Sequence, residues 1–280
     1  MPEPTIADAL AQAARGLSGD ETRAEAEILL AHVLGQGRSW LYAHATDPFP
    51  GQFELPFRDL LARRLHGEPV AHILGVQAFW SMALTVTEDT LIPRPETELL
   101  VELALQRLPA MGNRCVLDLG TGSGAIAIAI ASERPAAVVT AVDQSVRALD
   151  VARKNAARWV PDRIRFLQGD WFSPVQGERF DLIVSNPPYI AANDGHLSTG
   201  DLRFEPTSAL VAGKDGLDCI RRISAEARRF LVPGAWLLIE HGQSQGAAVR
   251  ELLSASGLLQ ASTFTDLGRR DRVSAAFQPA

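Results

Sequence analysis

The chain has 280 residues, of which 46% are hydrophobic and 21% charged. This composition is ordinary for a globular protein, and the length is sufficient for one large and one small domain whose cores need no disulfide or metal support. Its two cysteines, Cys115 and Cys219, lie far apart without neighbouring histidines, which argues against a disulfide framework and a zinc site. The net charge of −6 arises within residues 1–92, where 12 acidic residues outnumber 6 arginines, because the other 21 acidic and 21 basic residues cancel. The negative charge of residues 1–92 would repel a nucleic-acid backbone and attract a basic protein partner. Alternatively, these acidic residues only form a solvated surface.

Residues 1–75 are predicted to form a small helical domain. Apolar residues recur at helical spacing in three stretches, residues 5–14, 24–34 and 57–65. Asp20 is a candidate N-cap and Gly35 a candidate C-cap of the second helix. No basic, apolar leader precedes them, and the longest apolar stretch near the middle of the chain is too short to span a bilayer. We therefore expect a cytoplasmic protein that is not bound to a membrane.

Residues 76–92 are predicted to form a β-hairpin linker, because apolar and polar side chains alternate from Ala78 to Val86. Pro93 to Glu98 then combine prolines with acidic residues, which is typical of the first turn of a helix, and an apolar helical pattern continues to Leu108. This helix begins the second predicted domain, residues 93–280.

Past residue 112, predicted strands alternate with predicted helices. The strands are residues 116–119, 137–142, 164–167, 180–184 and 235–239, followed by a closing hairpin of 260–265 and 272–277. The helices are residues 125–132, 146–159, 217–230 and 245–256. This order predicts an α/β fold, a doubly wound parallel sheet of seven strands with an antiparallel pair at its C-terminal edge.

A glycine-rich turn after the first of these strands is a candidate cofactor site. It consists of Gly120, Thr121, Gly122, Ser123 and Gly124. Backbone amides and a helix N-terminus can approach a ligand closely at such a turn, which also satisfies the looser fingerprint of dinucleotide sites. Asp118, two residues before the turn, would repel a pyrophosphate but suits the cationic amino acid tail of S-adenosylmethionine.

Two further strand ends carry candidate cofactor residues. Asp143 lies 19 residues after Gly124, where a carboxylate can accept hydrogen bonds from both ribose hydroxyls. Asp170 and Trp171 follow the third strand and are candidates to flank the adenine. An ordinary strand-end cap remains open for Asp143, and a packing role for Trp171.

The fourth strand ends in Asn186-Pro187-Pro188-Tyr189, which predicts the reaction site. Two prolines stiffen the backbone where ligands bind in open α/β sheets. An amide or aromatic amine nitrogen is a poor nucleophile, so its two N–H bonds need acceptors, here the Asn186 side chain and the Pro187 carbonyl. Tyr189 offers an aromatic face for a planar group. Together with the glycine turn, this predicts methyl transfer from S-adenosylmethionine to nitrogen.

The chain resembles the bacterial peptide chain release factor N5-glutamine methyltransferases over nearly its whole length. The resemblance is carried by Glu68-Pro-Val-Ala-His-Ile-Leu-Gly75, Phe79-Trp80, Leu91-Ile-Pro-Arg-Pro-Glu-Thr-Glu98, Asp118-Leu-Gly-Thr-Gly-Ser-Gly124, Asn186-Pro-Pro-Tyr-Ile190, Phe204-Glu-Pro206 and Asp215-Gly-Leu-Asp218. It implies a Rossmann-like class I methyltransferase sheet whose helical N-terminal domain helps to dock the partner. It further implies methylation of the glutamine of the Gly-Gly-Gln motif in class I release factors 1 and 2, with Asn186, Pro187, Pro188 and Tyr189 holding that glutamine and Asn186 also contacting the cofactor.

Two other readings stay open from the residues alone. An adenine N6-methyltransferase acting on DNA or RNA would flip a base into the same pocket, but the acidic front half and the presence of only two lysines weigh against it. A non-catalytic adapter would keep the fold without the chemistry, which the complete glycine turn and Asn186-to-Tyr189 run oppose. We expect a monomer that binds no nucleic acid directly.

Overall fold

The computed structural model describes residues 3–17 and 21–279, and the chain divides into two compact units. The first unit comprises Met1–Val76 and Ser198–Phe204, and the second comprises Gln77–Leu197 and Glu205–Ala280. In the described ranges, no helix combines the length and apolar character needed to cross a membrane.

The described part of the first unit contains two short 3-10 helices, Gly51–Phe53 and Gly200–Phe204, and five α-helices: α1 (Ile6–Gly16), α2 (Thr22–Leu34), α3 (Arg38–Ala43), α4 (Glu54–Leu65) and α5 (Val70–Leu74). Thr5 begins α1, because its hydroxyl accepts the Asp8 N–H while the Asp8 carboxylate accepts the Thr5 N–H. Gly35 ends α2 in the left-handed conformation, which confirms the predicted C-cap. The predicted N-cap Asp20 lies outside the described residues. Helices α3 and α5 are absent from the prediction because six and five residues are too short to show a helical period.

The core of the first unit is apolar, with fully buried residues such as Leu29 and Leu30. The segment Ser198–Phe204 joins this unit through Asp201, which pairs with Arg64 at 3.0 Å. Arg64 pairs in turn with Glu25 of α2 at 2.8 Å. The unit is therefore completed by residues that are far away in the sequence.

A two-stranded hairpin follows the helices, formed by β1 (Val76–Phe79) and β2 (Met82–Thr85). The Asn155 side chain holds β2 in the second unit, because it accepts the Thr85 N–H at 2.7 Å and donates to the Thr85 carbonyl at 2.9 Å. The segment after the hairpin starts with a 3-10 turn, Pro95–Thr97, before α6 (Glu98–Arg107). The predicted helix from Pro93 is therefore shorter than expected, because Pro95 disfavours helical backbone at Arg94, which is extended with a ψ of 144°.

The main sheet has seven strands: β3 (Cys115–Leu119), β4 (Val138–Asp143), β5 (Ile164–Gln168), β6 (Phe180–Ser185), β7 (Leu231–Glu240), β8 (Leu259–Thr265) and β9 (Asp271–Phe277). Their order is β5-β4-β3-β6-β7-β9-β8. The first five are parallel, and β9 is antiparallel to both β7 and β8. This confirms the predicted doubly wound sheet with an antiparallel pair at its edge.

Helices cover both faces of the sheet, which explains why its strands are apolar on both sides. The described helices of this unit after α6 are α7 (Ala125–Glu133), α8 (Val146–Trp159), α9 (Thr207–Leu210), α10 (Asp218–Ala227) and α11 (Gly246–Ala255). Within β3, Val116 points into the core that contains α6 and α7, and Leu117 points into the core that contains α10 and α11. The prediction of residues 217–230 as one helix is three residues too long at its end, because Phe230 already precedes β7.

Candidate active site

A cavity of about 320 Å³ opens at the carboxyl ends of β3, β4 and β6. Ligands bind at this edge of open α/β sheets, and the volume suits a small molecule. Nine of the thirteen predicted site residues line it: Gly120, Thr121, Gly122, Ser123, Asp143, Asp170, Trp171, Asn186 and Pro188. The other four, Asp118, Gly124, Pro187 and Tyr189, are not on the cavity wall.

The glycine-rich turn forms one wall of the cavity. Gly120, Gly122 and Gly124 all have left-handed backbone, with φ of 73°, 54° and 86°, which favours glycine at each position. The N–H groups of Gly120 and Thr121 both donate to the carbonyl of Val142, at 2.9 and 3.0 Å. These hydrogen bonds fix the turn against the end of β4.

Two predicted residues support this turn from behind. A side chain at Gly124 would meet Ile128 Cδ1 at 3.0 Å and Ala152 Cβ at 3.2 Å, so glycine here allows α7 to pack against α8. Asp118 is fully buried, and its Oδ2 accepts the Thr121 hydroxyl at 2.6 Å. Burial raises the pKa of Asp118 to about 7, and the bond from Thr121 opposes that rise. Asp118 therefore orders the turn, and its predicted contact with the cofactor tail is not seen in the cavity lining.

Asp143 ends β4 and connects the turn to the next helix. Its Oδ2 accepts the Gly122 N–H at 2.8 Å, and its Oδ1 accepts the Ser145 N–H at 2.9 Å. Ser145 caps α8 by accepting the Ala148 N–H at 3.2 Å. Burial raises the pKa of Asp143, while these N–H groups counteract the rise. Each carboxylate oxygen keeps a lone pair, which is what the predicted bonds from ribose hydroxyls require.

Asp170 and Trp171 follow β5 and line the cavity near Gly120. Trp171 has a φ of 49°, a left-handed conformation that costs a non-glycine residue about 1–3 kcal/mol. Its ring covers Gly120, where an added Cβ would lie 3.5 Å from Trp171 Cζ3. Asp170 pairs with Arg222 at 2.7 Å, but both side chains are exposed, so this ion pair can rearrange at little cost. The structure thus brings both residues to the cavity rim.

The side-chain amide of Asn186 has a defined orientation in the cavity wall. Its Nδ2 donates to the Thr97 hydroxyl at 3.2 Å. Its Oδ1 is buried and has no hydrogen-bond partner within the described part of the chain. A buried acceptor without a donor is costly, so a ligand that supplies an N–H would stabilise it.

The three residues after Asn186 differ in their exposure to the cavity. Pro188 lines it, whereas Pro187 is buried. The Tyr189 carbonyl accepts the side-chain N–H of Gln245 at 3.0 Å, and the ring packs against the core beside α10 and α11. Burial raises the pKa of the Tyr189 hydroxyl. The Tyr189 ring is therefore partly buried against the core and is not among the residues that line the cavity, and its predicted role as an aromatic platform stays a prediction.

Glu205 is a buried carboxylate that supports another wall of the cavity, and the sequence did not predict this role. Glu205 accepts the Ile92 N–H at 2.9 Å and forms an ion pair with Arg94. These contacts fix the segment that carries Pro93 against the segment that carries Pro206, and both prolines line the cavity. The only signal was the Phe204-Glu-Pro206 run, which the resemblance marked without a role.

Comparisons with known proteins assign this arrangement to a family. Residues 96–205 match the family described as "Methyltransferase small domain", and residues 8–75 match "PrmC N-terminal domain". A protein of Xylella fastidiosa (strain 9a5c) named "Release factor glutamine methyltransferase" is 53% identical over 251 residues, 90% of this chain and 91% of the relative. The protein of the same name from Escherichia coli (strain K12) is 47% identical over 256 residues, 91% and 92% of the two chains. This chain belongs to the release factor glutamine methyltransferase family.

The fold agrees with more distant structures as well. A methyltransferase from Pyrococcus furiosus superposes with a TM-score of 0.54 at 18% identity, over 79% of this chain and 99% of that one. The chain is therefore a class I methyltransferase by fold and by family, and S-adenosylmethionine is its methyl donor.

The cavity fits that donor. The Asp143 oxygens keep lone pairs for two hydroxyls, and the glycine turn offers a wall without side chains. Among the described residues that line it, Arg222 is the one arginine and it pairs with Asp170, so this part of the lining presents no uncompensated positive charge to a sulfonium. Which of these residues touch the bound donor stays a prediction.

Proposed function

We propose that this chain transfers a methyl group from S-adenosylmethionine to the side-chain nitrogen (N5) of the glutamine in the Gly-Gly-Gln motif of class I peptide chain release factors, and so modulates translation termination. The observation that carries the proposal is the Oδ1 atom of Asn186, a buried acceptor without a partner in the described ranges, on a residue of the cavity wall. A primary amide supplies the N–H donor that this atom lacks.

The amide nitrogen is a weak nucleophile because its lone pair is delocalised into the carbonyl. Asn186 Oδ1 and the Pro187 carbonyl accept its two N–H bonds, which orients the lone pair and stabilises the positive charge that grows on nitrogen. Bound S-adenosylmethionine supplies the methyl group, whose carbon–sulfur bond breaks with its electron pair going to sulfur as the nitrogen–carbon bond forms. The nitrogen then loses one proton to solvent, so no side-chain base is needed.

On the donor side, we assign a role to each residue of the wall. Asp143 accepts hydrogen bonds from the ribose hydroxyls, and Asp170 and Trp171 flank the adenine. The turn from Gly120 to Gly124 holds the amino acid end, with Asp118 acting beneath it through Thr121. Pro188 and Tyr189 shape the glutamine site, Pro188 directly and Tyr189 from the core.

The partners in this proposal are release factors 1 and 2, met by a monomeric enzyme in the cytoplasm. The acidic residues 1–92 suit a basic protein surface better than a nucleic-acid backbone. Adenine N6-methylation of DNA or RNA is the competing activity, because an exocyclic amine could use the same two acceptors.

One labelling experiment distinguishes glutamine methylation of a release factor from adenine methylation of nucleic acid. The protein is incubated with methyl-labelled S-adenosylmethionine and either a class I release factor, the same factor with its Gly-Gly-Gln glutamine replaced by alanine, or adenine-containing DNA and RNA. Label should appear on the unaltered factor alone. Label on nucleic acid but not on the factor would overturn the proposal, and absence of both label and calorimetric cofactor binding would favour a non-catalytic adapter.

A further inference from the structure

The orientation of the Asn186 amide is decided by residues that do not belong to the Asn186–Tyr189 run. An asparagine side chain fits the same space in two orientations that exchange its oxygen and its NH₂ group. Only the orientation that presents Oδ1 gives the cavity an acceptor. The orientation is therefore set by whatever receives the NH₂ group.

Thr97 receives it. This residue closes the 3-10 turn Pro95–Thr97, lines the cavity and is only 4% exposed. Its Oγ1 accepts the Asn186 Nδ2–H at 3.2 Å, which leaves the hydroxyl proton for a second partner.

A buried carboxylate, Glu240, lies beside this pair at the carboxyl end of β7. Glu240 is 1% exposed and lies close to the side chains of Thr97 and Asn186, and its Oε2 has no hydrogen-bond partner among the described residues. Burial raises the pKa of Glu240 to about 7, and these two groups oppose the rise. In its ionised form this carboxylate accepts hydrogen bonds and donates none, so it suits the remaining Thr97 hydroxyl proton.

We infer that Thr97 is a positioning residue that fixes the Asn186 amide with Oδ1 directed at the substrate nitrogen. The inference rests on the proposed acceptor role of Asn186 and extends it to the hydrogen bond between the turn before α6 and the residue that follows β6. A flipped amide would bring an NH₂ group against the N–H bonds of the substrate, which removes the acceptor and adds repulsion.

The kinetic test compares Thr97→Val, which has the same shape without the hydroxyl, with Thr97→Ser, which keeps it. Thr97→Val should lower kcat about 10- to 100-fold on the release factor, with its KM and the dissociation constant of S-adenosylmethionine within a few-fold of wild type. Thr97→Ser should restore most of the lost rate. Thr140→Val is the matched control, because Thr140 is equally buried in β4 but is not part of the cavity, and it should leave kcat unchanged.

A double-substitution cycle separates positioning from general damage. In an Asn186→Ala background, Thr97→Val should cost no further rate, because the group it orients is already gone. An additive loss, a kcat within twofold of wild type for Thr97→Val, or a Thr97→Ser as slow as Thr97→Val would each overturn the inference.

A second readout does not depend on catalysis. The Asn186 side-chain NH₂ protons, identified by ¹⁵N nuclear magnetic resonance through their absence in Asn186→Ala, should exchange with solvent more slowly in wild type than in Thr97→Val. Equal exchange rates would overturn the inference even if the release factor is methylated. If wild type fails to methylate the factor, the proposed function falls, while slow exchange that depends on Thr97 would still establish the positioning contact.

Discussion

At the scale of single residues, Asn186 combines an anchored NH₂ group with an oxygen that lacks a donor. Because that oxygen acts on charge that grows in the transition state, Asn186→Ala should lower kcat about 10²- to 10³-fold. The dissociation constant of S-adenosylmethionine, measured by calorimetry, should stay within a few-fold of wild type. Equal activity in the variant would contradict the acceptor role.

Asp143 should affect the binding of S-adenosylmethionine rather than the rate of methyl transfer. Its two oxygens already accept the N–H groups of Gly122 and Ser145, so a bound ribose would add to an ordered carboxylate. Asp143→Ala should weaken the binding of S-adenosylmethionine by about 1–3 kcal/mol. Asp143→Asn is the matched control because it keeps one carbonyl oxygen, and it should lose less affinity than alanine. An unchanged calorimetric dissociation constant in Asp143→Ala would place the ribose elsewhere.

Asp118 makes the stability of the fold depend on pH. The unfolded chain releases this proton near the ordinary pKa of 3.8, whereas burial holds it to about 7 in the folded chain. Between these values the folded state binds more protons, so this residue lowers the free energy of unfolding as pH rises. In Asp118→Asn this pH-dependent loss of unfolding free energy should vanish, because the amide does not titrate. The Thr121 hydroxyl can still donate to the amide oxygen. Urea unfolding should therefore show the variant gaining on wild type between pH of about 4 and about 7; parallel profiles would contradict this.

At the scale of elements, periodic patterns locate the long helices and strands well. Residues 146–159 are a helix in prediction and structure alike, because ten or more residues with an apolar stripe leave little ambiguity. The short helices α5 and α9 escape prediction because five and four residues carry no period. The turn Pro95–Thr97 is a further case in which the sequence pattern is insufficient. Its residues are typical of a helix start, but the pattern does not predict that Thr97 lies beside Asn186.

The packing of α7 against α8 depends on Gly124. It adopts a φ of 86°, and an added Cβ would lie 3.0 Å from Ile128 and 3.2 Å from Ala152. Gly124→Ala should therefore lower the free energy of unfolding by about 2–4 kcal/mol, from backbone strain and overpacking together. Gly177→Ala is the control, because Gly177 has a φ of 82° with open space around it and should lose only the strain. Equal losses in urea unfolding would show that the helices can separate slightly at no cost.

At the scale of the whole molecule, the site is assembled from strand ends that are distant in the sequence. The glycine turn, Asp143 and Asn186 are predictable because each ends a buried strand or directly follows one. Glu240 offers the same signal, a carboxylate that ends an apolar strand, but its place close to Thr97 and Asn186 requires the fold. Glu205 is harder still, because no pattern reveals that it accepts the Ile92 N–H across 113 positions of chain.

The central claim is that this site methylates the side-chain amide of one glutamine in a release factor. The most direct measurement is tandem mass spectrometry of a class I release factor after incubation with the protein and S-adenosylmethionine. We predict a single added methyl group on the side-chain nitrogen of the Gly-Gly-Gln glutamine, present with wild type and nearly absent with Asn186→Ala. A methyl group on another residue, or undiminished methylation by Asn186→Ala, would contradict the account.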